Sequence, residues 1–179
     1  MRWMWIDRVI ELVPREKLVA VKNISLAEEH LHDHFAADPV RNLPAAPIMP
    51  ASLILEGMAQ TAGILVGHAE HFKEKVILAK INRAEIQRDA TPGCTLRYTA
   101  VIERMDPIGA STRGTIELMD HAKADKGWQA IGTVEMMFSH LDNNQGGAGR
   151  TGESFPEHNF VFGEGFKTLL RTSGVAIPD

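Results

Sequence analysis

Alternating apolar and polar residues predict a series of β-strands along most of the chain. The clearest alternating segments are separated by polar turns, one of which reads "TPG" at 91–93. The shorter segment before them, "RVIELV", predicts a short strand or a strand entry, and Pro14 after it favours a turn. The last three strands are expected to form an antiparallel meander. The predicted strands are residues 17–25, 75–87, 94–105, 110–120 and 128–140.

One segment has a different pattern and predicts a long buried helix. "SLILEGMAQTAGILVGH", from Ser52 to His68, is apolar nearly all round, as expected for a helix covered on most sides. Ser52 is expected to cap its start. The small residues within it, Gly57, Gly63 and Gly67 among them, favour close approach of a sheet or another backbone. The pattern therefore predicts an α+β fold in which an antiparallel sheet wraps one long central helix.

Two further segments divide the chain. Residues 34–50 contain four prolines and few periodic apolar positions, which predicts a loop. Residues 142–154, "DNNQGGAGRTGES", have the composition of a flexible linker. We therefore expect a domain over 1–141, followed over 142–179 by a linker and an extension that docks on its surface. The apolar residues that favour docking are Phe160, Phe162, Phe166, Leu169 and Leu170.

Composition and charge exclude several classes of function. The chain has 179 residues, 44% of them hydrophobic, and a formal net charge of −4, which argues against a nucleic-acid binder. A single cysteine, Cys94, excludes an intrachain disulfide. No apolar run approaches the ~20 residues that cross a bilayer, and the N-terminal residues lack the apolar core of a signal peptide. We expect a cytoplasmic protein without a membrane span.

Candidate chemistry begins with "HLHDHF", residues 30–35. Its spacing is one residue short of the zinc motif of metallo-β-lactamase-like hydrolases, and the other histidines supply no second ligand set. We therefore expect no metal and no cofactor, and we interpret His30 and His32 as part of a polar turn. Glu56 is different, because a carboxylate within an apolar helix is costly to bury and such residues are often functional.

The motifs "HF", "PIMP" and "EGMAQ" together resemble the active-site region of bacterial (3R)-hydroxyacyl-acyl-carrier-protein dehydratases. The resemblance covers roughly residues 5–140. It implies a hot-dog fold and a homodimer, in which the histidine of one protomer and the acid of the other share an active site. The residues that carry it are His34, Phe35, Pro47, Ile48, Met49, Pro50, Glu56, Met58, Ala59 and Gln60.

The sequence departs from that family in three places. Eleven residues, "AADPVRNLPAA", separate Phe35 from Pro47, where the family has a much shorter link. Ala51 replaces the glycine after "PIMP", although alanine keeps the backbone N–H. The extension after residue 142 lacks a clear counterpart.

The resemblance implies dehydration of (3R)-hydroxyacyl thioesters on acyl carrier protein to trans-2-enoyl thioesters, in fatty acid biosynthesis. His34 is expected to act as the base, because imidazole titrates near neutral pH, and Glu56 as the acid. The N–H groups of Ala51 and Ser52, at a helix start, are expected to hold the thioester oxygen. Gln60 either orients Glu56 or is a buried amide bonded to backbone. Candidate walls of the acyl channel are Phe35, Met49, Leu53, Ile54 and Met58.

Two other functions stay open on the sequence alone. One is a hot-dog thioesterase, in which Glu56 activates water. The other is a non-catalytic acyl-binding subunit of a lipid or polyketide assembly. The substrate carrier is either acyl carrier protein or coenzyme A, and dimers could assemble further. Basic residues on the predicted strands either dock an acidic carrier protein or form a solvated face; they are Lys80, Arg83, Arg88 and Arg97.

Overall fold

The predicted strands and central helix are present in the computed structural model, which describes residues 3–33, 35–141 and 159–177. Two short strands open the chain where the sequence predicts a strand entry and a strand. A five-residue helix covers most of "HLHDH", where the sequence predicts a polar turn. The elements are β1 (Arg8–Val13), β2 (Lys17–Asn23), α1 (Glu29–Asp33), α2 (Ala51–Ala69), β3 (Val76–Ile86), β4 (Cys94–Asp106), β5 (Gly109–Asp120), β6 (Gln129–His140) and α3 (Glu164–Thr172).

The six strands form one antiparallel sheet in the order β1-β2-β4-β5-β6-β3. The predicted meander is β4, β5 and β6, which pair as neighbours. Strand β3 follows α2 in the chain but lies at the far edge, beside β6. The α+β architecture expected from the sequence is therefore confirmed.

Helix α2 packs against the inner face of this sheet. Ile54, Met58, Ile64 and Leu65 are buried there. Gly57 is required for the approach, because a Cβ atom at this position would lie 2.6 Å from Tyr98 Oη and 2.8 Å from the Trp5 carbonyl oxygen. The close approach predicted from the small residues of the helix is thus observed.

The start of α2 differs from the prediction. The helix begins at Ala51, so Ser52 lies within its first turn, and Pro50 occupies the N-cap position without a side-chain hydrogen bond. The prediction that Ser52 caps the helix is wrong. Pro50 instead supplies its carbonyl oxygen to Leu53 N at 2.9 Å and to Ile54 N at 3.2 Å. Proline is compatible with a helix start because an N–H there has no intrahelical acceptor.

The C-terminal residues 159–177 lie against the C-terminal part of α2 and against β1. Phe162, Leu169 and Leu170 are buried. Asn159 Nδ2 donates to the carbonyl oxygens of Phe72 and Glu74 at 2.9 and 3.0 Å. These contacts join the segment to the domain. The linker predicted over 142–154 lies outside the described residues.

Candidate active site

Glu56 lies on α2 with its side chain half-buried. Its carboxylate oxygen Oε1 accepts a hydrogen bond of 3.0 Å from Gln60 Nε2, one helical turn further along. The same Gln60 amide nitrogen donates to the Trp3 carbonyl oxygen at 2.8 Å, and Gln60 Oε1 accepts from Trp5 N at 2.9 Å. Gln60 therefore combines both roles considered for it, since it contacts Glu56 and also satisfies backbone groups.

Residues 3–5, whose backbone Gln60 bonds, also contact α1. The Trp5 ring lies edge-on to the His30 ring, with centroids 4.9 Å apart, and Trp3 stacks edge-on to Trp5 at 5.3 Å. His30 is consequently packed against an aromatic side chain, which corrects its interpretation as part of a solvated turn. This aromatic layer connects the helix that carries Glu56 with the short helix that leads to residue 34.

His34 itself, and the side chain of His32, lie outside the described part of the chain. The loop that follows is described, and it closes on itself. Ala46 N donates to the Phe35 carbonyl oxygen at 2.9 Å, while Asp38 and Leu43 exchange two backbone hydrogen bonds of 3.0 and 2.9 Å. The eleven residues 36–46 therefore project from a closed base. Because Ala46 bonds Phe35, the loop brings Phe35 close to Pro47, the first residue of "PIMP".

The first turn of α2 is the expected oxyanion site. Ala51 and Ser52 are both exposed there. The first N–H groups of any helix lack intrahelical acceptors and lie at the positive end of the helix dipole. They can therefore donate to a developing negative charge on a thioester oxygen.

An apolar groove of about 280 Å³ runs beside Glu56. One wall is a single face of α2, since the residues recur with helical spacing. The opposite wall combines the start of β3, one side chain of β6 and the C-terminal segment. The lining residues are Glu56, Ala59, Gln60, Gly63, Ile64, Val76, Ile77, Leu78, Phe138, Val161, Phe162 and Phe166.

The channel residues expected from the sequence lie outside this groove, and their contact with substrate stays a prediction. Met49 and Met58 are fully buried in the core, and Met58 lies against Gly114 of β5. Leu53 is half-buried, Ile54 is buried, and Phe35 is exposed. These five do not line the groove beside Glu56. The helical spacing of Ala59 and Gly63 relative to Glu56 could have indicated two groove residues, whereas nothing local indicates the C-terminal ones.

The three arginines considered for carrier docking, Arg83, Arg88 and Arg97, have acidic or polar neighbours. Arg97 bonds Glu117 through two nitrogens at 2.7 and 2.6 Å and lies 4.3 Å from the centroid of the Trp128 ring. Arg88 bonds Gln129, and Arg83 pairs with Glu85. These partners favour the alternative of a solvated strand face for the three arginines.

Within 3–33, 35–141 and 159–177, no three His, Cys, Asp or Glu side chains are grouped as a metal ion would require. None of the helices in these ranges has both the length and the apolar character needed to cross a membrane.

The fold is shared with proteins of known structure. A dehydratase heterocomplex, ApeI:P from Xenorhabdus doucetiae, matches with a TM-score of 0.56 over 77% of this chain and 83% of its own, at 17% identity. A thioesterase family protein from Silicibacter pomeroyi matches with a TM-score of 0.57 over 75% of this chain and 83% of its own, at 12% identity. Together with the sheet and its central helix, these likenesses define a hot-dog fold.

Sequence comparison gives the family. Residues 2–127 match the FabA-like domain. A 3-hydroxyacyl-acyl-carrier-protein dehydratase FabZ of Clostridium kluyveri is 32% identical over 79% of this chain and 88% of its own length. A FabZ of Acidiphilium cryptum is 37% identical over 57% of this chain, and the match spans only 59% of that relative. The chain therefore belongs to the FabA-like domain family.

Proposed function

We propose that this protein is a hydro-lyase that dehydrates (3R)-hydroxyacyl thioesters on acyl carrier protein to trans-2-enoyl thioesters, in fatty acid biosynthesis. The observation that carries the proposal is the Glu56 carboxylate, held by Gln60 on a buried helix beside an apolar groove. Relatives at 32% and 37% identity are named for this reaction. The single buried Cys94 fits a reducing compartment, and we place the reaction in the cytoplasm.

The reaction moves two protons. His34 takes a proton from C2, and electron density passes toward the thioester oxygen, where the N–H groups of Ala51 and Ser52 stabilise it. Glu56 donates a proton to the C3 hydroxyl, the C3–O bond breaks, and water leaves as the C2–C3 double bond forms. Because Gln60 donates to Oε1 of Glu56, we assign the transferred proton to Oε2. His34 then returns its proton to Glu56 through solvent, which restores both groups.

We propose a homodimer joined through β3. This strand of eleven residues terminates the sheet, and most of its residues are exposed, Leu78 and Ile81 at 38% and 39% among them. A long exposed edge with apolar side chains favours pairing with another strand. The groove beside Glu56 includes the first residues of β3, so a second protomer on that edge would approach the site. In this arrangement, His34 of one protomer faces Glu56 of its partner.

The test is a product assay with purified protein and 3-hydroxyacyl thioesters on acyl carrier protein and on coenzyme A. Enoyl thioester should form without release of free thiol. Glu56→Gln should lower turnover by at least about a hundredfold, as expected for loss of a general acid. Glu74→Gln, on the short segment after α2, is a matched control that should retain turnover. Thiol release without enoyl product would identify a thioesterase instead, and absence of both reactions would leave only acyl binding.

A further inference from the structure

The C-terminal segment supplies one wall of the groove beside Glu56. Val161, Phe162 and Phe166 line it together with Ala59 and Gly63 of α2. This segment lies beyond residues 2–127, which match the family. The wall is therefore a property of this chain that the family assignment does not supply.

Packing fixes the position of this wall. A Cβ atom at Gly67 would lie 2.4 Å from Phe162 Cζ, so the Phe162 ring covers that glycine directly. Phe72 and Phe166 both lie edge-on to Phe162, with centroids 4.9 and 5.9 Å apart. Ser173 Oγ accepts from Val9 N at 3.0 Å and anchors the far end of the segment to β1. The Phe162 and Phe166 rings are thus held by α2 and Phe72 on one side and by the bond between Ser173 and β1 on the other.

The position of Phe162 along α2 closes one end of the groove. Glu56 and Gly63 are two helical turns apart, about 10 Å at the usual helical rise. Gly67, under Phe162, lies one turn beyond Gly63. A chain that starts at Glu56 and follows the helix therefore meets the Phe162 and Phe166 rings after that distance. The groove volume, about 280 Å³, lies just below the range of about 300–1,000 Å³ that is usual for ligand sites.

We propose that Phe162 and Phe166 form an end stop that sets the longest acyl chain this enzyme accepts, so that it prefers short substrates. The inference rests on the proposed function, since it takes the groove as the place of the acyl chain. Apolar lining favours a hydrocarbon occupant, because burial of each methylene strengthens binding about fourfold. Among the described residues that line the groove, Glu56 is the one charged side chain.

Two measurements test the end stop, one with turnover and one without. The first compares kcat/KM for 3-hydroxybutanoyl, 3-hydroxyoctanoyl and 3-hydroxydodecanoyl thioesters. The second measures calorimetric affinity for saturated thioesters of the same lengths, which lack the C3 hydroxyl and cannot be dehydrated.

The variants are Phe166→Ala and Phe166→Leu, which open the groove, and Gly63→Ala, which narrows it. Phe160→Ala is the matched control, because Phe160 is in the same segment but does not line this groove. Thermal unfolding checks that each variant is folded.

We expect the wild type to lose affinity and kcat/KM beyond the shorter chains. For kcat/KM and for affinity, we define the length ratio as the value for the dodecanoyl thioester divided by the value for the butanoyl thioester. Phe166→Ala should raise this length ratio at least about tenfold, since each further methylene that the groove accommodates corresponds to about fourfold. Phe166→Leu should produce a smaller rise in the length ratio, and Gly63→Ala should lower it. Phe160→Ala should leave the length ratio unchanged.

The outcomes separate the two proposals. If the wild type dehydrates thioesters but Phe166→Ala and Phe166→Leu leave both ratios unchanged, the end stop is wrong and the proposed function stands. If the saturated thioesters show the length limit and its relief but no enoyl product forms, the end stop stands and dehydration is wrong. If the wild type neither binds nor dehydrates any of these thioesters, both are wrong.

Discussion

Gln60 Nε2 lies 3.0 Å from Glu56 Oε1, and the same amide bonds the backbone of Trp3 and Trp5. The Gln60 side chain, which bonds the proposed acid, is thus itself held by the backbone of residues 3–5. Positioning of this kind matters because a small displacement of a reacting group can cost about a hundredfold in rate. Gln60 is therefore a positioning residue in the proposed mechanism.

Gln60→Met should lower kcat by about ten- to hundredfold and change KM little, because Glu56 loses its orienting donor. In a Glu56→Gln background the same change should add almost nothing, since both residues act as one unit. Gln129→Met is a matched control, because Gln129 bonds Arg88 and does not line the groove. A loss of stability with unchanged kcat, or a full additive loss in the double variant, would make Gln60 purely structural.

Mixed dimers test the shared active site. A dimer of one His34→Ala protomer and one Glu56→Gln protomer should contain one intact site, because the two remaining native residues would face each other. After complete exchange of subunits, the mixture should recover about a quarter of wild-type activity, since about half of its dimers are mixed. Each variant exchanged with itself is the control. No recovery after proven exchange would place both residues of a site in one protomer.

Gly57 and Gly63 should respond oppositely to alanine. Gly57→Ala should destabilise the protein by several kcal/mol, because its Cβ would overlap the Tyr98 hydroxyl and the Trp5 carbonyl oxygen. Gly63→Ala places its Cβ 3.5 Å from Phe138, an ordinary contact, and should raise stability by about 1 kcal/mol through helix propensity. Denaturant unfolding of both variants measures the difference. Equal effects would contradict the close packing of α2 at Gly57.

Tyr98 should resist alkaline titration. Its hydroxyl is buried without a hydrogen-bond partner among the described residues, and burial, assisted by the negative charge of Asp7, strongly raises the pKa of the phenol. A raised folded pKa stabilises the fold below the unfolded value of about 10, and that stabilisation is lost as pH rises above it. Because Tyr98 is the single tyrosine, phenolate absorbance reports it alone.

We therefore expect phenolate absorbance to appear together with alkaline unfolding rather than before it. Tyr98→Phe should unfold at higher pH and gain about 1 kcal/mol at neutral pH, since a buried hydroxyl without a partner is removed. Circular dichroism followed over the same pH range is the comparison. Ionisation near pH 10 in protein that remains folded would contradict the burial of Tyr98.

The local elements followed from the sequence because their causes are local. Alternation along 94–105 and 128–140 reports one buried face of a strand, and β4 and β6 form there. The apolar run after Pro50 reports a helix covered on most sides, and α2 differs by only one residue at each end. Glu56 and Gln60 are four residues apart, so the helix itself brings them together.

Tertiary structure decided what surrounds Glu56. The face of α2 that opens on the groove excludes Met58, which packs into the core beneath Gly114, and a run that is apolar all round does not indicate which face that is. Phe166 reaches the groove only because Phe162 fits the space that Gly67 leaves. Such contacts between distant segments depend on complementary shapes that form when the chain packs, and the short-range periodicity of the sequence carries no information about them.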